Sequence, residues 1–245
     1  MTDDLTHDDF LGGRLRLWQP RRGFRAGVDA VLLAAAVPAR PGDSVLDLGC
    51  GVGTAMLCLA ARVPGVDALG VEIQPAYADL ARRNGAHVVT ADLTALPADL
   101  RQRQFTHVLT NPPYFDRAQG PASADPGRDT ALAGATPLAD WLDAAIRRVA
   151  PRGTLTVIQH MTRLPEVVTV CSARLGSLVL CPIQPRRGQP PGLFLLQGTQ
   201  GGRAAFRMAP PFLMHHGDSH GADAEDYTPE ACAILRDAAR LNMRD

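Results

Sequence analysis

The chain has 245 residues, of which 46% are hydrophobic and 20% are charged, and its formal net charge is zero. This composition is typical of one globular domain with a substantial core, alone or with an extension, and it excludes a protein coated in basic charge. No apolar run reaches the roughly 18 residues of a membrane-spanning helix, and the acidic N-terminus is the opposite of a signal peptide's basic start, so we expect a cytoplasmic protein.

The charge is unevenly distributed along the chain. Residues 11–30 hold five arginines against one acid, and residues 181–210 hold four arginines and no acid. This segregation permits a local anionic partner. The five cysteines form no CxxC pair and lie mostly in apolar segments, which predicts buried thiols. We expect no metal site, because the one small histidine cluster has no cysteine nearby: His215, His216 and His220.

Residues 1–42 are predicted to form an N-terminal extension. Leu15 and Leu17 alternate with arginines, which indicates a short strand. The apolar run over residues 30–36 predicts a helix, and Asp29 occupies the position expected of its N-cap.

Residues 43–200 are predicted to form the main domain, in which strand and helix patterns alternate. Runs that are apolar on both faces and alternate with helices indicate an α/β fold with a doubly wound, mostly parallel, seven-stranded sheet. The last two strands are close enough in sequence to pair as a hairpin, which would give one antiparallel edge strand. Strands are predicted at 44–48, 68–71, 87–90, 105–110, 154–158, 178–181 and 193–197, and helices at 54–62, 75–84, 137–149 and 164–175.

Two long segments lack a clear pattern, and we predict loops over residues 119–134 and 198–221. Residues 201–245 are assigned to a C-terminal loop and helix. In that helix Thr228 is the predicted N-cap and Pro229 occupies the first turn.

A glycine-rich turn follows the first strand of the main domain. Residues 45–54 read Val-Leu-Asp-Leu-Gly-Cys-Gly-Val-Gly-Thr, and such glycines let the backbone turn tightly and let a ligand approach it. The pattern is GxGxG preceded by Asp47, and it differs from the dinucleotide pattern GxGxxG. The charge of Asp47 would oppose a pyrophosphate, whereas the ammonium group of an amino-acid tail can use it.

Acidic residues at the ends of the next two strands complete the prediction of a cofactor. Glu72 can bind both hydroxyls of a ribose. Asp92 ends the third strand and is followed by Leu93, where the exocyclic amine of an adenine could be read. This combination specifies S-adenosylmethionine, with S-adenosylhomocysteine as product. The predicted cofactor residues are Asp47, Gly49, Cys50, Gly51, Gly53, Glu72, Ile73, Asp92, Leu93 and Asn111.

The fourth strand ends in Asn111-Pro112-Pro113-Tyr114. The prolines cannot donate to a sheet, so an amide, a carbonyl and an aromatic ring are held rigidly at the strand's carboxyl end, where ligands bind in open α/β sheets. The Asn111 oxygen and the Pro112 carbonyl can accept both N–H groups of a planar amine, and Tyr114 can stack on its ring. We predict these four residues to be catalytic, with positioning and electrostatics carrying an in-line methyl transfer.

At this point the sequence resembles the class I, S-adenosylmethionine-dependent methyltransferases of the Asn-Pro-Pro-Tyr group, which methylate planar amino nitrogens. The resemblance spans roughly residues 24–200 and implies a Rossmann-like fold and this cofactor. A non-enzymatic alternative is an RNA-binding scaffold with a degenerate methyltransferase fold, but the intact motifs argue against it.

Several members of this group remain open as alternatives. Enzymes that methylate the glutamine N5 of release factors carry a helical domain before the glycine loop, and 46 residues before Asp47 are too few for one. DNA adenine N6-methyltransferases need a target-recognition region, for which the C-terminal 45 residues are a poor candidate. Methylation of guanine N2 in rRNA is a further alternative. The last is a small bacterial tRNA enzyme that methylates N6 of the adenine at position 37, next to the anticodon of a valine tRNA.

The last family is favoured by three segments. Residues 27–33, Gly-Val-Asp-Ala-Val-Leu-Leu, are similar to its N-terminal motif, and the resemblance places Val28 and Asp29 against the cofactor. Residues 126–131 resemble its Pro-Arg-x-x-Ala element, and residues 227–231 resemble its tyrosine-initiated helix. Zero net charge, the absence of lysine and long Gly/Ala/Pro insertions depart from the family, and they affect substrate identity more than fold.

This resemblance implies a tRNA partner, with the protein a monomer or weak dimer. Arginines would then flank the cleft and bind phosphates, so binding should fall steeply with salt. The predicted RNA-binding residues are Arg21, Arg22, Arg25, Arg128, Arg186 and Arg187.

Overall fold

The computed structural model describes residues 4–114, 136–217 and 226–243. The strands, in chain order, are β1 (Leu5–Phe10), β2 (Leu15–Pro20), β3 (Ser44–Leu48), β4 (Asp67–Glu72), β5 (Val88–Thr90), β6 (Phe105–Thr110), β7 (Val149–His160), β8 (Leu175–Gln184), β9 (Leu193–Gln200), β10 (Arg207–Met208) and β11 (Phe212–Leu213). The α-helices are α1 (Val28–Ala36), α2 (Thr54–Arg62), α3 (Pro75–Arg83), α4 (Ala98–Gln102), α5 (Leu138–Ile146), α6 (Leu164–Ser172) and α7 (Pro229–Asp237).

One large sheet organises the molecule. Its strand order is β10-β8-β9-β7-β6-β3-β4-β5, and β11 also pairs with β8. Strands β3 to β7 run parallel to one another, and β9 runs antiparallel to both of its neighbours, β7 and β8. The predicted α/β class and mostly parallel sheet are confirmed, but the sheet has nine strands in the described residues and not seven, because β10 and β11 extend it beyond β8. Strand β3 pairs with β4 on one side and with β6 on the other, so the strand order reverses direction at β3. A cleft is expected at such a point, at the carboxyl ends of β3 and β6.

The side chains of β3 show how the sheet acquires two apolar faces. Val45 packs in a cluster with α1, α2 and α7, whereas Leu46 and Leu48 pack in a second cluster with α4, α5 and α6. Successive strand residues point to opposite faces, so a strand covered by helices on both sides reads as an apolar run. Helix α1 is buried from Ala30 to Ala36, which the apolar sequence of these seven residues allows.

Several element predictions need correction. The antiparallel strand β9 lies inside the sheet and not at its edge, because it pairs with β7 on one side and β8 on the other, and β10 and β11 pair with the far side of β8. The helix predicted over 137–149 ends at Ile146, since β7 already begins at Val149. The N-cap of α1 is Gly27, and Asp29 lies within the first turn. Its carboxylate accepts hydrogen bonds from the Gly27 backbone N–H and from the Asn111 side-chain amide.

The two terminal segments contain more structure than their sequence patterns indicate. The predicted strand at Leu15 and Leu17 is β2, which pairs with β1 in a separate antiparallel hairpin. The segment predicted as a loop over 198–221 contains β10 and β11, whereas the predicted loop over 119–134 lies outside the described residues. Thr228 caps α7 as predicted, accepting a hydrogen bond from the backbone N–H of Ala231 at 3.1 Å. The division at residues 42 and 200 stays a prediction.

The five cysteines are free thiols, and four of them are buried. In the ranges that the structure describes, we find no helix with the length and apolar character that crossing a bilayer requires.

Candidate active site

A cleft with a volume of about 220 Å³ opens at the carboxyl edge of the sheet. Parallel strands end at the same edge, so residues far apart in sequence meet there. The cleft is lined by many of the predicted site residues: Gly49, Gly51, Glu72, Ile73, Asp92, Leu93, Asn111, Pro112, Pro113 and Tyr114. Other lining residues carried no functional prediction, among them Phe24, Gln74, Tyr77 and Trp141.

Glu72 joins the glycine turn to the end of β4. One carboxylate oxygen accepts from the backbone N–H of Gly51 at 2.9 Å, and the other accepts from that of Gln74 at 2.8 Å. The side chain lines the cleft with the residue only 6% exposed. Burial raises the pKa of Glu72, and the bonds from Gln74 and Gly51 offset part of that rise. The carboxylate is therefore held in one position, with lone pairs left for hydroxyl donors.

The neighbouring part of the cleft presents apolar side chains beside a carboxylate. Ile73 is 56% exposed, which is unusual for an isoleucine, and it lines the cleft together with Leu93. One oxygen of Asp92 accepts from both the backbone N–H and the hydroxyl of Thr94, at 2.8 and 2.7 Å. Apolar surface with a fixed acceptor suits a flat ring that carries an N–H donor.

Asp47 is a buried carboxylate behind the glycine turn. It is 2% exposed, and one oxygen accepts from the backbone N–H of Met56 in α2 at 3.2 Å. Burial raises its pKa to about 7; the Met56 bond lowers it, and the charge of Glu72 raises it further. None of the ion pairs found among the described residues includes Asp47. A cationic group near Asp47 would offset this uncompensated charge.

Trp141 occupies the space that a side chain at position 49 would need, and no sequence pattern indicated this contact. Its φ is +77°, and a Cβ there would lie 2.4 Å from a ring carbon of Trp141. The Trp141 indole N–H donates to the Thr110 hydroxyl at 2.8 Å, and that hydroxyl donates to the Leu48 carbonyl at 2.7 Å. The room at Gly49 is therefore taken by an indole ring that forms part of the cleft wall.

The Asn111 amide is held from one side by a single carboxylate oxygen. The Asn111 side-chain nitrogen donates to Asp29 Oδ2 at 2.8 Å, and the Tyr114 hydroxyl donates to the same oxygen at 2.8 Å. Burial raises the pKa of Tyr114, and the charge and the hydrogen bond of Asp29 raise it further, so the hydroxyl stays protonated. Asn111 Oδ1 is buried and has no hydrogen-bond partner within the described part of the chain.

The Pro112 carbonyl is held by a residue that carried no functional prediction. Gln159 is fully buried, and its amide nitrogen donates to the carbonyls of Pro112 and Pro113 at 3.1 and 3.4 Å. The register that pairs Thr110 with Val157 brings the end of β7 level with these prolines. The Gln159 amide oxygen accepts from the backbone N–H of His160 at 2.7 Å, which fixes its orientation. Polar residues near the end of β7 were the available signal for this role.

The remaining predicted cofactor residues lie outside the cleft lining. Cys50 packs against Gly70, where an added Cβ would meet the Cys50 sulfur at 2.6 Å, and Gly53 is the N-cap of α2. Val28 is 41% exposed, and the neighbouring Asp29 contacts Asn111 and Tyr114. A cofactor role stays a prediction for these residues, for Asp47 and for the predicted residues that line the cleft.

The predicted RNA-binding arginines divide into two groups. Arg25 pairs with Asp8 at 2.6 Å, and Arg186 is buried and pairs with Asp226, so both have partners within the chain. Arg21, Arg22 and Arg187 are exposed and belong to none of the ion pairs found among the described residues, whereas Arg25 is exposed but paired. Arg128, the element at 126–131 and His220 lie outside the described residues.

His215 of the histidine cluster makes local contacts. His215 Nδ1 lies 2.6 Å from Asp226 Oδ1, and its ring stacks on Tyr227 with centroids 4.6 Å apart. Among the residues with described positions, we find no group of three or more His, Cys, Asp or Glu side chains that could hold a metal ion.

Comparison with known proteins gives consistent results. A family model described as a methyltransferase domain matches residues 45–122. A protein of Yersinia enterocolitica named tRNA1(Val) (adenine(37)-N6)-methyltransferase is 30% identical over 230 residues, covering 89% of this chain and 86% of the relative. A protein of the same name from Yersinia pseudotuberculosis is 31% identical over 234 residues, covering 89% and 86%.

Solved structures are similar over the greater part of the chain. A structure from Agrobacterium tumefaciens, described as a predicted O-methyltransferase, has a TM-score of 0.70 at 26% identity and covers 87% of this chain and 98% of its own. A SAM-dependent O-methyltransferase from Thermotoga maritima has a TM-score of 0.52 at 12% identity, with coverage of 74% and 67%, and this likeness shows the fold alone.

Proposed function

Because the chain belongs to the family of S-adenosylmethionine-dependent methyltransferases whose curated relatives are named tRNA1(Val) (adenine(37)-N6)-methyltransferase, we propose that it methylates N6 of an adenine in tRNA. The finer part of the proposal is that this adenine is at position 37 of a valine tRNA. The observation that carries methylation of an amine is the buried Asn111 oxygen without a partner among the described residues, next in the chain to the Pro112 carbonyl, and the names of the relatives support the finer part. A tRNA substrate would place the protein in the cytoplasm.

The residues of the cleft fit S-adenosylmethionine, which supplies a methyl group attached to a positively charged sulfur. Glu72 is positioned to accept from ribose hydroxyls, and Ile73 with Leu93 offers the apolar surface that an adenine ring needs. The buried charge of Asp47 favours an ammonium group near the glycine turn. We assign the amino-acid end of the cofactor to that turn.

The chemistry of the reacting amine explains the motif. The lone pair of an exocyclic adenine nitrogen is drawn into the ring, so the nitrogen is a poor nucleophile. Asn111 Oδ1 and the Pro112 carbonyl can accept its two N–H groups, which favours a tetrahedral nitrogen with its lone pair directed at the methyl group. The methylated nitrogen takes up the positive charge and releases one proton. Tyr114, kept protonated, cannot serve as the base, and an in-line transfer needs none before the methyl group moves.

An amine acceptor explains the site better than a hydroxyl acceptor. A hydroxyl has one hydrogen, so it can donate to Asn111 Oδ1 or to the Pro112 carbonyl but not to both, whereas an amine has a hydrogen for each. We therefore favour nitrogen over oxygen, although the Agrobacterium structure is described as an O-methyltransferase.

Three exposed arginines outside the ion pairs described above support an RNA substrate. Arg21 and Arg22 precede Phe24, which lines the cleft, and Arg187 follows β8, whose end lies at the same edge of the sheet. We propose that these three bind phosphates, while Arg25 and Arg186 maintain the shape of their segments. An anticodon-loop base costs less to present than a base within a duplex.

The decisive experiment is methylation of total tRNA, rRNA, DNA and release factor with labelled S-adenosylmethionine, followed by analysis of the products. We expect N6-methyladenosine in valine tRNA, and no product when guanosine replaces the adenine at position 37. Label in N5-methylglutamine, 2-methylguanosine or an O-methylated product would contradict the proposal. Replacing Arg187 with Ala should weaken tRNA binding and should reduce the slope of log affinity against log salt concentration by about one, the value for one phosphate contact.

A further inference from the structure

Asp29 contacts the predicted catalytic motif although it lies 82 residues from Asn111 in the chain. Its Oδ2 accepts from the Asn111 amide and from the Tyr114 hydroxyl, each at 2.8 Å. Its Oδ1 accepts from the backbone N–H of Gly27 at 3.2 Å. Both oxygens are therefore engaged, and the carboxylate is fixed at the start of α1.

The two ends of an asparagine amide have nearly the same shape, but one donates and the other accepts. An ionised carboxylate can only accept, so Asn111 must turn its NH₂ group toward Asp29. Its oxygen then points elsewhere, and that oxygen is the buried atom without a partner among the described residues. With the amide reversed, two oxygens would face each other, and the amide would present N–H groups toward the reacting amine.

We propose that Asp29 is a positioning residue that selects the orientation of the Asn111 amide, so that an acceptor oxygen faces the amine to be methylated. This inference rests on the proposed methylation of an amine. Asp29 also holds the Tyr114 hydroxyl, so one carboxylate orients both the acceptor and the ring of the motif. In this role Asp29 acts through Asn111 and Tyr114 and not by contact with the reacting atoms.

The variant Asp29→Asn tests this role because it keeps the size of the side chain and removes its acceptor-only character. The amide introduced at position 29 can donate to Asn111 Oδ1 and occupy the oxygen that the substrate needs. We expect kcat to fall about 100-fold, which is far more than any change in the KM for tRNA or in the Kd for S-adenosylmethionine. Tyr114→Phe removes only the second bond to Asp29 and should lower kcat by less than Asp29→Asn does.

The exchanged pair Asp29→Asn with Asn111→Asp separates orientation from simple packing. In that double variant the amide at position 29 donates to one oxygen of the carboxylate at position 111, which leaves the other oxygen free to accept. We expect at least a roughly tenfold recovery of kcat over Asp29→Asn alone. Asn111→Asp alone should be inactive, because it places two carboxylates against each other.

A second measurement keeps the inference testable without catalysis. The side-chain amide protons of Asn111, identified by their loss in Asn111→Ala, should exchange slowly with solvent in the wild type and faster in Asp29→Asn. Equally slow exchange in both proteins, or wild-type kcat for Asp29→Asn, would overturn the role of Asp29. If the wild type methylates no amine but the exchange rates differ as expected, the proposed function fails while the contact stands.

Discussion

The cleft has two halves: the cofactor half, which contains Glu72 and Asp92, and the amine half, which contains the Asn-Pro-Pro-Tyr motif. The side chains of each half are fixed by partners that lie at different separations along the chain. In the cofactor half, Glu72 accepts from Gly51 and Gln74, and Asp92 accepts from Thr94; these partners are backbone groups at the strand ends and their turns. In the amine half, side chains from other elements orient the motif, through Asp29 in α1 and Gln159 in β7. Changes in the first half should therefore alter cofactor affinity, and changes in the second should alter the rate of transfer.

The largest effect is expected for Asn111→Ala, in the amine half. This change removes the acceptor that lowers the barrier to transfer, so kcat should fall about 1000-fold. The Kd for S-adenosylmethionine, measured by calorimetry, should change by less than about twofold. A loss of cofactor affinity as large as the loss of rate would show that the two halves are not separable at Asn111.

The matching change in the cofactor half is Glu72→Ala. It removes the acceptor for ribose and the bonds that hold Gly51 and Gln74, so the Kd for the cofactor should rise about 100-fold. The kcat at saturating cofactor should remain within a few-fold of wild type. Circular dichroism would check folding, and Glu72→Gln should lie between the wild type and Glu72→Ala. A normal Kd in Glu72→Ala would contradict the assignment.

Asp47→Asn tests the buried charge of the cofactor half through the pH dependence of stability. The pKa of Asp47 rises from 3.8 to about 7 on folding, so its favourable contribution is complete below about pH 4 and is lost as the pH rises to about 7. Between about pH 5.5 and 8 the wild type should lose about 2 kcal/mol of unfolding free energy relative to Asp47→Asn, or about thirtyfold in the folding constant. Urea denaturation at both pH values measures the difference.

Saturating S-adenosylmethionine provides the control for Asp47. If its ammonium group binds near this carboxylate, the cofactor should stabilise the wild type more at about pH 8 than at about pH 5.5. Parallel pH profiles of the wild type and Asp47→Asn would contradict the raised pKa.

The smallest effect is expected for Gln159→Leu, again in the amine half. The change removes the donor to the Pro112 carbonyl, so kcat should fall. The fall should be only about tenfold, because the rigid prolines still hold the carbonyl near its place. The cofactor Kd should be unaffected. Gln159→Glu should cost more, because a carboxylate would face two carbonyl oxygens. Rate measurements in which both variants match the wild type would remove Gln159 from the amine half.

Local pattern was sufficient for most of the architecture and for the cofactor half. The strand at 44–48 and the helix at 54–62 were predicted with the bounds that the structure has, because apolar runs and glycine turns act over a few residues. The acids at the ends of β4 and β5 could be assigned to one ligand, because parallel strands end at one edge. The Asn-Pro-Pro-Tyr motif at the end of the fourth strand was interpreted in combination with these acids, because all of them lie at that edge.

Contacts between distant elements were decided only by tertiary structure. The packing of Trp141 against Gly49, the bond from Gln159 to Pro112 and the hold of Asp29 on Asn111 join residues 47 to 92 positions apart. Local periodicity carries no information about which helix end or strand end will lie beside a given side chain. The sequence by itself determined which groups could bind a methyl donor and an amine, and folding decided which way those groups face.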